Sequence, residues 1–187
     1  MTVITPWTVE SRRTVVDDRF LRVHADRVRT GKGVVLDPFW IVEGWHWVCV
    51  VPFLPDGRIV CVAQYRHAAG QVFIELPAGN VDPGESVVAA AERELVEETG
   101  YLPCGPFIPL GTLWPEPSRS TNRATGFAVQ VSATPGTASP EASEDLEVQL
   151  LTYAELVDPT HSRLIHGVQV AFLHRAGERH LAHGLGS

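Results

Sequence analysis

The chain has 187 residues, enough for one domain with a full core and a small extension. Its composition is that of an ordinary globular protein, 44% hydrophobic and 20% charged, and its formal net charge is −7, with 22 Asp+Glu against 15 Lys+Arg. That balance argues against non-specific nucleic-acid binding. The longest apolar runs, such as residues 47–54, fall far short of the ~20 residues that a membrane helix needs.

No basic N-terminal patch precedes an apolar stretch, so no secretory signal is expected. Cys49, Cys61 and Cys104 form no Cys-x-x-Cys pair, which argues against a disulfide framework or a zinc site and predicts reduced thiols in the cytoplasm. An acidic chain can still bind a phosphate compound if divalent cations lie between the two.

In chain order, residues 12–29 alternate loosely between polar and apolar and predict a strand or hairpin. Residues 46–54 predict a buried strand, Pro55-Asp56-Gly57 a turn, and residues 58–64 the returning strand. A short strand over 71–76 is ended by Pro77, and a Gly/Pro/Asp-rich loop follows over 79–84. Residues 86–99 are rich in Ala and Glu, lack Gly and Pro, and are followed by Gly100, which predicts a helix with a glycine stop.

Strands are expected at 107–113, 125–131 and 146–151, with a loop at 135–140. Thr152 with Glu155 is a capping-box pattern that opens a short helix. Leu164, Ile165, Val168 and Phe172 predict a final amphipathic helix. Strands and helices alternate irregularly, which points to α+β with a mixed sheet between helices. The expected organisation is an N-terminal β extension over 1–44, a main domain over 45–178 and a tail over 179–187.

The residues that carry chemistry are concentrated in Gly79-Asn80-Val81-Asp82-Pro83-Gly84-Glu85 and Arg93-Glu94-Leu95-Val96-Glu97-Glu98-Thr99-Gly100-Tyr101. On a helix, Glu94, Glu97 and Glu98 share a sector of roughly 100°. Like charges at this spacing each cost a few tenths of a kcal/mol even when exposed, so the cluster calls for a compensating cation. Oxygen-only ligands suit a hard ion such as Mg²⁺ or Mn²⁺. Leu95, Ala91 and Val88 would form the stripe that anchors the helix to the core, and Arg93 can pair with Glu97 four residues on. The bland alternative for the acidic cluster alone is a solvated helix face.

The full pattern is more specific than the cluster. Glycine, five residues, glutamate, seven residues, then Arg-Glu-aliphatic-any-Glu-Glu-any-Gly-hydrophobic resembles the Nudix box at every fixed position, with Tyr101 in a slot where an aliphatic residue is commoner. The resemblance to the Nudix hydrolases implies an α/β/α sandwich with the box as a loop–helix–loop at a metal site. It implies Glu94 and Glu98 as core metal ligands, Glu97 assisting directly or through water, and Arg93 with Glu85 orienting them. It also implies that the Ala78 carbonyl joins the metal shell.

Gln64-Tyr65-Arg66-His67 followed by Glu75-Leu76-Pro77-Ala78-Gly79 resembles the ADP-ribose pyrophosphatase branch, as do the prolines of Trp114-Pro115-Glu116-Pro117. This branch implies substrate contacts from Arg66 and Glu75, a general base at Glu144 with Glu141 as the alternate, and N-terminal strands that pair subunits in a homodimer. The similarity runs from about 45 to 175 and is strongest over 64–101.

Arg66 has an alternative reading as an exposed structural arginine. Trp40, Trp45 and Trp47 could stack on a base or pack in the core or a dimer interface. Arg119 and Arg123 could meet a phosphate, and His67 could be a plain loop residue. The expected reaction is Mg²⁺- or Mn²⁺-dependent hydrolysis of a nucleoside diphosphate-linked small molecule, ADP-ribose first, giving AMP and ribose 5-phosphate. NADH, a sugar nucleotide or a dinucleoside polyphosphate is the enzymatic alternative, and a non-catalytic Nudix-like binding module is the alternative from another class.

Overall fold

A computed structural model describes residues 4–140, 145–158 and 166–183, with side chains to 178. Its elements in order are β1 (Thr8–Asp17), β2 (Arg22–Arg29), β3 (Val35–Glu43), β4 (His46–Phe53), β5 (Ile59–Arg66), β6 (Gln71–Glu75), β7 (Ala78–Asn80), α1 (Val87–Thr99), β8 (Ile108–Leu113), β9 (Arg123–Gln130), β10 (Leu146–Leu151), α2 (Tyr153–Val157) and α3 (Gly167–His183).

The contacts divide the chain into two units: Met1–Trp45 with Trp114–Arg123, and His46–Leu113 with Ala124–Ser187. In the first, β1, β2 and β3 form an antiparallel sheet with β2 in the middle. Arg12 on β1 donates from Nε and Nη2 to the buried Asp26 on β2, both at 2.7 Å. The 114–123 segment is stitched to β3 by Val42, whose N–H donates to the Arg119 carbonyl and whose carbonyl accepts from the Thr121 N–H.

The second unit holds a seven-stranded sheet ordered β10-β5-β4-β9-β8, with β6 added to β5 and β7 to β4. Its core follows from the two-residue period of the strands. Val48 and Val50 of β4, Val60 of β5, and Phe127 and Val129 of β9 pack with Ala90, Ala91 and Leu95 of α1. Cys49, Val51 and Phe53 of β4, Ile59, Cys61 and Ala63 of β5, and Ala124 and Ala128 of β9 pack with Leu156 of α2 and Phe172, Leu173 and Ala176 of α3. Alternate residues of the same strands thus face opposite helical layers, which is an α+β helix–sheet–helix sandwich.

The α1 boundaries match the expected ones for identifiable reasons. The Ser86 side chain accepts from the Ala89 N–H, a cap worth about 1 kcal/mol. Gly100 closes the helix at φ 73°, a conformation that side chains with a Cβ rarely adopt. The capping box of Thr152 and Glu155 is present in both directions at the start of α2.

Two expectations need correction. Val88 does not anchor α1: it is 42% exposed, and Ala90 is fully buried instead. The buried sector runs through Ala90, Ala91, Glu94, Leu95 and Glu98, so the helix turns part of its acidic face inward. The 79–84 loop begins as strand, because Gly79 and Asn80 continue the β7 ladder against Val48 and Trp47.

Candidate active site

The acidic face of α1 lies against β7. Glu94 and Glu98 are almost fully buried, and Glu97 is partly exposed. The Ala78 N–H donates to Glu98 Oε2 at 3.2 Å. A Cβ added at Gly79 would overlap the whole Glu94 carboxyl group, so only glycine lets the strand come this close.

Arg93 ties the cluster together. Its Nε and Nη2 donate to the two oxygens of Glu85, both at 3.0 Å, and Nη2 also donates to the Asn80 carbonyl. Nη1 donates to Glu94 Oε1 at 2.8 Å and to Glu97 Oε2 at 3.2 Å. One guanidinium therefore meets three carboxylates. The arrangement raises the pKa of Arg93, chiefly through its bonds to Glu85.

Glu85 is held below the ordinary carboxylate range by Arg93 and then by the Asp82 N–H. A carboxyl depressed in the folded state contributes stability above its unfolded value, and that contribution is lost as pH falls through the folded value. The stability advantage of wild type over Glu85→Gln should therefore be full at neutral pH and shrink below the ordinary glutamate value of 4.5. Melting curves of the two proteins in metal-free buffer from neutral to acid pH check this. A gap that stays constant down to about pH 3, well below that ordinary value, would show that Arg93 does not act on Glu85 through its charge.

A second constellation stands on β5 and β6. Arg66 Nε and Nη2 donate to Glu75 Oε1 and Oε2 at 2.7 and 2.6 Å. Glu75 is buried and Arg66 about half exposed, so the pair fixes the guanidinium plane at the protein surface. The two residues stand on neighbouring strands, where Arg66 is opposite Gln71 and Val62 opposite Glu75.

Arg66, Glu75, Ala78, Gly79, Trp47 and Phe73 line a cleft of about 680 Å³. His166 closes another part of the wall, its ring edge-on to Trp47 with centroids 5.5 Å apart. Of Trp40, Trp45 and Trp47, only Trp47 lines this cleft, while Trp40 and Trp45 are exposed on the first unit. Arg119 and Arg123 also belong to the first unit, where the Arg123 guanidinium stands 5.9 Å from the Trp114 ring. His67 stands near the Tyr65 ring at 6.4 Å. Glu141 and Glu144 lie outside the described residues.

Two participants had only weak sequence signals. Asn80 acts through its backbone carbonyl, which no side-chain pattern reveals. Gln169 is a buried amide on the core-facing side of α3, and its one signal is a polar residue between Val168 and Val170.

The profile described as the NUDIX domain matches residues 46–168. The chain belongs to the Nudix family. It is similar to an ADP-ribose pyrophosphatase of Mycobacterium tuberculosis, 38% identical over 92 residues that cover 48% of this chain and 44% of the relative. An ADP-ribose pyrophosphatase of Bacillus subtilis is 41% identical over 54 residues, 29% of each chain. The chain thus spans less than half the length of these curated relatives. A solved structure titled as an ADP compounds hydrolase has a TM-score of 0.84 over 98% of this chain and 99% of its own at 22% identity, a likeness of fold.

Nudix proteins generally employ divalent metal ions. Among the described residues, no three acidic, histidine or cysteine side chains converge as a ready metal-ligand set, and Arg93 sits among the carboxylates instead. The donor chemistry nevertheless fits a hard cation. Four carboxylates (Glu85, Glu94, Glu97 and Glu98) surround one guanidinium or flank it on the same helix face. Burial pushes the Cys49 thiol well up, and the charges of Glu98 and Glu75 push it further. The site holds more negative charge than Arg93 and Arg66 offset, and its donors are all oxygens.

Proposed function

We propose that this Nudix protein is a Mg²⁺- or Mn²⁺-dependent pyrophosphohydrolase of nucleoside diphosphate derivatives, with ADP-ribose as substrate and AMP and ribose 5-phosphate as products. The observation that carries the reading is the packing of Glu94 and Glu98 of the Nudix box against β7, whose residues Ala78, Gly79 and Asn80 line the cleft that also contains Arg66. The choice of ADP-ribose is supported by the Arg66–Glu75 pair of the branch motif and by the ADP-ribose pyrophosphatases among the similar proteins.

Glu94, Glu98 and Glu97, with the Ala78 carbonyl, would hold the divalent ions. When bound, such ions neutralise phosphate charge and make water a better nucleophile. Arg93 orients Glu94 and Glu97 while Glu85 anchors Arg93. Arg66 grips a diphosphate oxygen, and Glu75 serves the substrate by fixing Arg66. Water adds to one phosphorus, the bridging oxygen leaves with the other phosphate, and the water's proton passes to a carboxylate. Glu144, with Glu141 as alternate, is the proposed acceptor.

The proposal extends to a homodimer, supported by exposed apolar residues such as Trp40 and Trp45 on the N-terminal unit. A reducing, cytoplasmic setting is supported by the three free thiols, Cys49 and Cys61 buried and Cys104 exposed. No helix among the described residues is long and apolar enough to cross a membrane.

A product-resolved screen of ADP-ribose, NADH, GDP-mannose and a dinucleoside polyphosphate with Mg²⁺ and with Mn²⁺ tests the reading. ADP-ribose should give the highest kcat/KM. Faster hydrolysis of another compound overturns the substrate choice, and no turnover with either metal overturns the enzymatic reading.

Arg66→Ala should mainly raise KM, by about tenfold or more, because a phosphate grip is present in ground and transition states alike. Steady-state kinetics on the best substrate check this. An unchanged KM would make Arg66 a structural partner of Glu75 and nothing more.

A further inference from the structure

We propose that Gln169 on α3 is a positioning residue for the substrate-gripping pair, holding the Glu75–Leu76 backbone so that Glu75 can fix Arg66. The inference rests on the nucleotide-binding reading above and names a residue that acts through that same site.

The Gln169 side chain is 1% exposed, far below what a glutamine usually shows. Its Oε1 accepts from the Leu76 N–H at 2.8 Å, and its Nε2 donates to the Leu76 carbonyl at 3.3 Å. The amide thus reads both backbone groups of one residue, as a neighbouring strand would. Nε2 also stands 3.5 Å from Glu75 Oε2, at the outer limit of a hydrogen bond. The main hold is therefore on Leu76, and the contact with the carboxylate is the weaker part.

Leu76 is the residue that needs such a hold. It lies between β6 and β7, outside both ladders. On one side of it, Glu75 engages Arg66 with both oxygens. On the other, Pro77 offers its carbonyl to the Val50 N–H, and the Ala78 N–H donates to Glu98. Pro77 has no N–H to donate, so the backbone around this corner has one hydrogen-bonding group fewer than an ordinary strand. Gln169 supplies the missing lateral partner from the opposite side of the sheet from α1, where α3 packs with Leu76 in the same core cluster.

A buried amide with both ends engaged fixes its partner in one place, and replacing it leaves buried polar groups unsatisfied. Because Leu76 adjoins Glu75, a displaced corner would shift the carboxylate and tilt the Arg66 guanidinium away from the cleft. A role in packing alone would not single out Arg66.

The test is a double-mutant cycle of Gln169→Met with Arg66→Ala. Its readout is the Kd of ADP-ribose, measured by calorimetry on the full chain without divalent metal, with melting curves confirming that each variant folds. Gln169→Met should raise Kd about tenfold in the wild-type background and less than about twofold in the Arg66→Ala background, the coupling expected of residues that share one network. With metal present, the single variant should raise KM more than it lowers kcat.

If Gln169→Met does not fold, Gln169→Glu carries the same cycle, since it keeps an acceptor for the Leu76 N–H and removes the Nε2 donor. The added charge acts on the bound diphosphate in both backgrounds but attracts Arg66 in only one, so the Gln169→Glu cycle is repeated at high salt, where that attraction is screened and a coupling due to position remains. Equal fold-changes in the two backgrounds, or no change in either, overturn the positioning role. A wild type that binds ADP-ribose but does not hydrolyse it overturns the hydrolase reading alone. A wild type that neither binds ADP-ribose without metal nor turns it over with Mg²⁺ or Mn²⁺ overturns both.

Discussion

Glu98→Gln is expected to lower turnover at least ~100-fold, or about 2.7 kcal/mol of barrier, with a melting temperature close to that of wild type. The substitution keeps the shape of a side chain that is only 4% exposed. It also keeps an oxygen that can accept from the Ala78 N–H, the bond that ties α1 to β7 at this point. What it removes is one negative charge from an oxygen-donor site. A neutral amide oxygen is a poorer ligand for a hard divalent ion, and the deficit is felt most where phosphate charge develops in the transition state. The check is kcat on the best diphosphate substrate at saturating Mg²⁺ and again at saturating Mn²⁺, with calorimetric metal affinity alongside. Wild-type turnover at saturating metal would remove Glu98 from the ligand set and leave its burial as a purely structural fact.

The parts of the site that are legible in the sequence are those fixed by local spacing. Glu94, Glu97 and Glu98 share a face because a helix places residues three and four apart side by side, and Ser86 and Gly100 mark that helix at both ends. The four-residue spacing also predicts that Arg93 reaches Glu97, and it does. Its stronger anchorage on Glu85 and the Asn80 carbonyl depends on how the 79–85 loop folds back, which no helical period encodes.

What the sequence leaves hidden depends on pairing across distance. That the acidic face is half turned into the protein follows from β7 adding to β4 beside α1, and a three-residue strand gives no periodic signal. The third strand of the N-terminal sheet, Val35–Glu43, carries Pro38 and has no clean alternation, so only its pairing with β2 defines it. The 114–123 segment joins the N-terminal unit through backbone bonds to Val42, which leave no trace in side-chain pattern. Gln169 belongs to the same class: its partner is a backbone far away in sequence, and a lone glutamine in an amphipathic helix reads as a solvated residue until the other strand is in place.

Gly79→Ala should also separate activity from stability, through a contact instead of a charge. Gly79 is not among the glycines with positive φ, so an alanine backbone is allowed and the cost lies in contact alone. The added Cβ would overlap the Glu94 carboxyl group, and either the strand or the side chain must yield. The strand is pinned on both flanks of this glycine, by the pairings of Ala78 with Cys49 and of Asn80 with Trp47. The carboxyl group is the far end of a rotatable side chain, held at Oε1 by Arg93. It is therefore Glu94 that moves. Overpacking of this kind costs typically about 1–3 kcal/mol in a rigid core, and a yielding side chain places the expected loss at or below the low end. The loss of function is larger, because a ligand displaced by even an ångström no longer serves a cation whose oxygen distances are tightly defined. We expect kcat to fall at least ~100-fold, metal affinity to drop with it, and the melting temperature to shift by only a few degrees. Thermal melts, calorimetric Mn²⁺ titration and steady-state kinetics on the same preparation decide the matter. A variant that melts like wild type and binds and turns over like wild type would show that Glu94 can leave its place without consequence, and Glu94 could not then be a metal ligand. A variant that loses most of its stability would show instead that β7 yields before the carboxylate, and that the close approach at Gly79 serves the sheet rather than the site.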